Sequence, residues 1–197
     1  AAAEAKRLAD EKAAAEAKRL ADEKAAEAKK LEEQNLSREE GEYNNGQKNG
    51  VWTYFDKKGL KEKEILFING KDSLYTFFNE NGKKSKEGKM IDGKEEGNWI
   101  FYDENGIKER ETEHKSGKEE GIYSLWYENG QKREEGPYKG KTRIGEWTWW
   151  YDSGKKWKQG TYLSGERDGT WEFWKRDGTR WKDHIYNDGS FEGKKEY

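Results

Sequence analysis

The 197-residue chain has no cysteine, one proline, one methionine and two histidines. Without cysteine there is no disulfide, no thiol nucleophile and no thiolate zinc site, and any cellular compartment is suitable. His114 and His184 stand outside the i,i+4 and HExxH patterns of metal-binding histidines, and no serine occupies a nucleophile-elbow sequence. Catalytic residues, metal ligands and cofactors are therefore expected to be absent. The 39 Lys and Arg nearly balance the 41 Asp and Glu, for a net charge of −2. That balance lacks the basic excess on which counterion-releasing nucleic-acid binding depends. No apolar run approaches helical membrane-spanning length. The chain opens Ala-Ala-Ala without Met, which reads as a fragment or processed product and leaves room for an export signal upstream. The cytoplasm and a bacterial envelope or exported location both stay open.

Aliphatic residues are also scarce. Leu, Ile, Val and Phe number 25 of 197 while charged residues reach 41%, a composition that borders on disorder. Low net charge and 14% aromatics point the other way, since disordered chains are poor in aromatics. Any core must be built from Trp and Tyr.

Two regions differ in character. Residues 1–35 are low in complexity: AAAEAKRLADEK occurs at 1–12 and again at 13–24. Strong helix formers without a breaker predict a helix, weakly supported by Glu4–Arg7, Glu16–Arg19 and Glu27–Lys30 at i,i+3. An alanine seam with Leu8, Leu20 and Leu31 beside it is thin for a coiled coil. A solvated helical spacer about 50 Å long is favoured over an oligomerising stalk.

Residues 36–197 are periodic. The segments GVWTYFDKKG (50–59), SLYTFFNENG (73–82), GNWIFYDENG (97–106), GIYSLWYENG (121–130), GEWTWWYDSG (145–154) and GTWEFWKRDG (169–178) align without gaps, one start following another by 23 and then 24 residues. Each unit reads as a hairpin. The third position is Trp52, Tyr75, Trp99, Tyr123, Trp147 or Trp171, and the fifth is Tyr54, Phe77, Phe101, Leu125, Trp149 or Phe173. Spacing of two places them on one strand face. The tenth position is always glycine, fitting a turn with φ > 0. A return strand carries Phe67, Met90, His114, Tyr138, Tyr162 or Tyr186 at the eighteenth position, then a second NG, DG or SG-type turn. The expected fold is mostly β: an elongated antiparallel β-meander of tandem hairpins. A half repeat (36–49) precedes the units that start at 50, 73, 97, 121, 145 and 169, with a single N-terminal helix before it.

The pattern G-x-W-x-x-Y/W-x-x-x-G followed by Y-x-x-G-x-x-x-G, best seen in TYLSGERDGTWEFWKRDG (161–178), resembles the MORN repeat. More narrowly it is similar to the bacterial variant in the YwqK-like antitoxin family. The resemblance covers residues 39–193, with departures at Ser73, at His114 and in the short first unit. It implies a curved single sheet of hairpins and a role in scaffolding, protein contact or membrane-lipid contact.

Among the chemical candidates, His114 occupies a core-facing aromatic position and reads as a packed or hydrogen-bonded structural histidine. The doublets Glu95–Glu96, Glu119–Glu120 and Glu134–Glu135 recur with the repeat and read as a solvated edge that blocks sheet association. DENG and IDGKEEG offer oxygens but lack the D-x-D-x-D-G spacing of a calcium loop.

The sixth position is Phe55, Phe78, Tyr102, Trp126, Trp150 or Trp174, facing opposite to the third and fifth. Either both aromatic rows are structural ladders, or one is an exposed binding stripe. Seven of the ten Trp lie between Trp147 and Trp181, with Trp157 and Trp181 on return strands. Tyr102, Trp126, Trp150, Trp174, Trp157 and Trp181 are accordingly the candidate binding residues. The leading function is a non-catalytic scaffold for protein partners, homotypic or within a larger complex, because Trp and Tyr anchor interfaces. A carbohydrate or cell-wall binding module is one alternative, and a YwqK-type antitoxin or immunity protein another. Lipid contact is a minor fourth.

Overall fold

The computed structural model describes residues 15–16, 18–24, 26 and 38–197. Residues 15–16, 18–24 and 26 are helical and exposed. The expectations resting on Glu4–Arg7, Glu27–Lys30 and an oligomerising stalk lie outside the described residues. The chain divides into two compact units, Ala1–Arg38 with Phe55–Leu60, and Glu39–Tyr54 with Lys61–Tyr197.

The repeat region forms one antiparallel sheet of fifteen strands whose neighbours follow chain order. It begins with β1 (Glu39–Asn44), β2 (Gln47–Phe55), β3 (Lys61–Ile68), β4 (Lys71–Phe78) and β5 (Lys84–Ile91). It continues through β6 (Lys94–Tyr102), β7 (Lys108–Lys115), β8 (Lys118–Trp126), β9 (Lys132–Lys139) and β10 (Thr142–Arg143). It ends with β11 (Gly145–Trp150), β12 (Lys156–Leu163), β13 (Glu166–Trp174), β14 (Arg180–Asn187) and β15 (Ser190–Glu196). β10 and β11 are one leading strand interrupted at Ile144, and both pair with β9. The break lies opposite Pro137, whose carbonyl accepts from Ile144 N at 3.0 Å but which has no N–H to return.

Two irregularities recur. The first follows each hairpin turn: Trp149 faces Lys158 while Trp150 faces Lys156, leaving Trp157 as the extra residue on the return strand. Ser85, Glu109, Arg133 and Trp181 are the extra residues of the corresponding bulges. A bulge residue has no partner across the ladder, so this thirteenth position is released from pairing in the five units that start at 73, 97, 121, 145 and 169. The leading strand keeps its alternation, so the third and fifth positions face one way and the fourth and sixth the other.

The second irregularity sits at the unit's opening glycine, which has positive φ in Gly50, Gly97, Gly121, Gly145 and Gly169. In β5–β6, Gly88 faces Trp99 and Lys89 faces Glu96, so Gly97 and Asn98 are both extra. In β3–β4 only Ser73 is extra, and it has no positive φ. The missing glycine and the missing residue of that unit are one event: a two-residue bulge shortened to one.

The core lies on the face of the third and fifth positions, here the indole face. Trp99, Trp147 and Trp171 are completely buried, and Trp52 and Trp149 nearly so. Each third-position Trp lies over a glycine eleven residues earlier, on the preceding return strand: Gly41, Gly88, Gly136 and Gly160. A Cβ at any of these would fall inside the ring's van der Waals envelope. The indole N–H then donates to the carbonyl of the next residue: Trp52 to Glu42 at 3.2 Å, Trp99 to Lys89 at 3.0 Å, Trp147 to Pro137 at 3.1 Å and Trp171 to Thr161 at 3.2 Å. Where the third position is Tyr, the residue beneath keeps a side chain: Ile65 faces Tyr75 and Thr112 faces Tyr123. Eighteenth-position aromatics close the rows edge-on, Tyr138 to Trp147 at 5.2 Å and Tyr162 to Trp171 at 5.1 Å between centroids.

Contacts at the repeat interval tie unit to unit. Tyr127 Oη donates to Trp150 O and Tyr151 Oη to Trp174 O, both at 2.8 Å. Asn81 and Asn129 amides donate to Glu104 O and Asp152 O.

Candidate functional site

The second face, here the ladder face, repeats a polar and aromatic column. The residue entering each return strand pairs with the residue three later: Lys61 with Glu64 at 2.7 Å, Lys84 with Glu87 at 2.8 Å and Lys108 with Glu111 at 2.6 Å. Lys132 pairs with Glu135, Lys156 with Gln159 at 2.5 Å and Arg180 with Asp183 at 2.8 Å. The same cation lies over a sixth-position ring of a following strand. Lys61 Nζ is 4.6 Å from the Phe78 centroid, Lys108 3.7 Å from Trp126 and Lys156 5.1 Å from Trp174. Lys132 lies 5.8 Å from both Trp126 and Trp150. Arg180 covers Tyr197 at 4.8 Å, and Arg38 covers Phe55 at 4.2 Å.

The structure thus places Tyr102, Trp126, Trp150 and Trp174 half-buried, each with a lysine near its ring. The Tyr102 hydroxyl donates to Glu87; burial first and this carboxylate second push its pKa up. Two hollows of about 460 and 420 Å³ flank Trp126. Asp103, Glu128 and Arg133 line one of them, and Glu111, Ser124 and Lys132 the other. Trp157 and Trp181 differ from the row: they are bulge residues, 39% and 42% exposed.

Burial disfavours ionisation of Glu87, Glu135 and Asp183, but hydrogen bonds outweigh it. Lys84, Tyr102 and Thr76 donate to Glu87, Lys132 and Ser124 to Glu135, and Tyr197 and Arg180 to Asp183. All three pKa values end below the ordinary 4.5 of Glu or 3.8 of Asp. A depressed folded value gives stability that is complete above the unfolded value and is lost as pH falls through the folded one. The urea midpoint is therefore expected to hold from pH 7 to 5 and to drop below pH 4.5. A midpoint unchanged at pH 3 would contradict the column's contribution.

Two of the three glutamate doublets are not the solvated edge expected from sequence; in the third, Glu119 pairs with Arg110 while Glu120 is exposed. Neighbouring strand residues point to opposite faces, which splits each doublet. Glu134 is buried on the indole face and accepts from Arg143 and from the Trp149 indole N–H, while Glu135 joins the ladder column. Glu95 bridges Lys86 Nζ at 2.8 Å and His114 Nε2 at 3.0 Å on the indole face. Glu96 caps Ser116 N at 2.7 Å. His114 is buried, with Nδ1 3.2 Å from Thr112 Oγ1. The Asp103 carboxylate of DENG accepts from Asn105 N and Ile107 N, both at 2.8 Å. Among the described residues no cluster of His, Asp and Glu is arranged to hold a metal.

Residues the sequence reading did not single out are Gly41, Gly88, Gly136 and Gly160, the partners of the tryptophans. Their signal is a glycine eleven residues before a third-position Trp and a side chain at that place before a Tyr.

Among curated proteins none matches this chain. Two of the solved structures that this chain matches in part are of TarM. A crystal structure of TarM is 16% identical over 59% of this chain and 24% of its own, with a TM-score of 0.39. That of an S. aureus TarM mutant in complex with Fondaparinux, alpha-GlcNAc-glycerol and UDP is 15% identical over 61% of this chain and 23% of its own, with a TM-score of 0.41. The chain thus matches about a quarter of the length of each. Residues 95–116, 119–139 and 143–163 match the family described as MORN repeat variant. With the hairpins, opening glycines and buried aromatics of those segments in view, three consecutive units of this sheet are MORN repeats of the variant type.

Proposed function

We propose that the protein is a non-catalytic docking scaffold that holds a protein partner on its C-terminal repeats. The observation that carries this reading is the exposure of Trp157 and Trp181. Both are bulge residues on return strands separated by β13, which puts their backbones about 10 Å apart. Exposed Trp beside Arg and Lys is the composition of interface anchors. The role requires no cofactor, metal or catalytic group. Glycan or quaternary-amine binding would use open ring faces, yet Lys108, Lys156, Lys158 and Lys182 already lie over Trp126, Trp174, Trp157 and Trp181. A YwqK-type antitoxin or immunity role is the special case of one tight partner.

The test is capture of partners from native lysate by the intact chain and by Trp157→Ser/Trp181→Ser. The rings keep surface contacts, Trp157 with Tyr151 and Lys158 and Trp181 with Lys182, so circular dichroism first checks that the double variant folds as before; it is then expected to lose the partner. Undiminished capture would refute this surface as the docking site. Changing Trp126, Trp150 and Trp174 instead would remove half-buried rings and confuse lost binding with lost stability.

A further inference from the structure

The indole face carries ion pairs at a fixed interval of nine residues. Lys86 pairs with Glu95 at 2.8 Å, Arg110 with Glu119 at 2.9 Å and Arg143 with Glu134 at 3.1 Å. Each joins a return strand to the next leading strand. The third pair reverses the order of sign but keeps one cation and one carboxylate. In the following unit the same two positions, on β12 and β13, are Lys158 and Arg167. Both are cations.

Neither has a carboxylate partner among the described residues. The Lys158 ammonium lies 4.2 Å from the Trp149 ring and 4.7 Å from Trp157. Arg167 lies 4.6 Å over Trp171 and donates to Tyr186 Oη at 2.9 Å. Glu134, the carboxylate whose charge acts on Lys158, is taken by Arg143 and the Trp149 indole. One unit further, Lys182 holds the Lys158 position, and nine residues on stands Phe191, 56% exposed and packed against His184 and Tyr186. The carboxylate of the nine-residue pair is thus missing from two successive units in a chain whose net charge is only −2; Glu196, opposite Lys182 across the ladder, is already paired with Lys194. The cations act on one another: burial, then Arg167 and Arg143, push Lys158 down to about 8. Burial, Lys182, Arg167 and Lys194 lower His184. Like charges placed together in a sheet destabilise it, so stability gives no reason for the arrangement.

We propose that Lys158 and Arg167, with Lys182 beside them, are the docking site for an acidic segment of a partner protein, one carboxylate of which takes the place that Glu95 and Glu119 hold in earlier units. The inference rests on the docking role and names the chemistry of the partner. Carboxylate is favoured because the two preceding Lys/Arg-first units build the same spacing around one at 2.8 and 2.9 Å. The site adjoins exposed Trp157 on one side and Phe191 on the other, so apolar contact is available next to the charge. Lys158 and Lys182 sit on return strands about 10 Å apart. In a polyproline II segment, with three residues per turn, acidic residues three apart lie on one side and span about 9 Å.

The probe is a synthetic peptide with Glu at every third position, titrated at low salt into the full chain and followed by Trp fluorescence. Binding is expected to weaken with salt and to fall about tenfold or more in Lys158→Glu, which restores an internal pair of the Glu134–Arg143 polarity. The melting midpoint of that variant is expected to rise, separating loss of the site from loss of the fold. Equal binding to both proteins, equal binding by a Gln-substituted peptide, or displacement by anionic-lipid vesicles or inorganic phosphate at matched charge would overturn the proposal. Two crossed outcomes separate it from the docking reading. Partner capture lost in Trp157→Ser/Trp181→Ser but intact in Lys158→Glu overturns the acidic site and leaves the scaffold. Peptide binding specific for Lys158, with capture indifferent to both tryptophans, supports the acidic site and removes the tryptophan surface.

Discussion

Gly136→Ala is expected to destabilise the array by about 3 kcal/mol, the upper end for overpacking a filled core. The added Cβ would enter the Trp147 indole at three of its ring atoms. The ring has nowhere to move: it is completely buried, its N–H is held by Pro137 O, and Tyr138 meets it edge-on. The backbone is equally fixed, because Gly136 lies on β9 between β8 and the β10–β11 strand. Gly88 and Gly160 should behave alike, since Trp99 and Trp171 stand in the same relation to them. The native units themselves supply the compensation. Thr112 lies opposite Tyr123, and Ile65 opposite Tyr75, so a phenol ring accepts a side chain where an indole does not. Gly136→Ala/Trp147→Tyr is therefore expected to recover more than half of the loss, with strong coupling between the two sites. Urea unfolding followed by circular dichroism would measure it. Additive losses in the double variant would show that the glycine matters for another reason.

This pairing also explains which parts of the structure could be read from the sequence. The period, the hairpins and the two aromatic rows come from single strands, where a spacing of two fixes the face. The match of Trp with Gly crosses between strands and needs a register, which bulges at the thirteenth position and the opening glycine offset from a plain hairpin. The nine-residue ion pairs were hidden for the same reason. Composition also misled: Glu134 beside Glu135 reads as solvated charge until alternation sends one carboxylate into the indole face and the other to the ladder. Of the candidate residues, Tyr102, Trp126, Trp150 and Trp174 occupy the row that spacing assigned to them. Their half-burial beneath lysines comes from the neighbouring strand. Trp157 and Trp181 are exposed because they fall on the bulge, a feature with no marker in either row.

Arg143→Met is expected to cost about 3 kcal/mol, the lower end for removing one partner of a buried pair. The two partners are unequally placed: the Glu134 side chain is 10% exposed and that of Arg143 31%. Loss of the guanidinium leaves a buried carboxylate with the Trp149 indole N–H as its remaining hydrogen-bond donor. It also removes a cation 4.5 Å from the Trp147 ring and 5.4 Å from Trp149, an interaction of about 1 kcal/mol. Methionine retains the hydrocarbon stem, so packing loss is small. The reverse deletion, Glu134→Gln, should cost only about 1 kcal/mol, because Arg143 reaches water and the amide oxygen still accepts from Trp149. The combination Glu134→Gln/Arg143→Met should sit well above Arg143→Met, since no unpaired charge remains inside. Chemical denaturation of the three variants reads the asymmetry directly. Equal losses from the two single changes would mean that the pair acts as a surface ion pair and that the burial of Glu134 has no energetic weight.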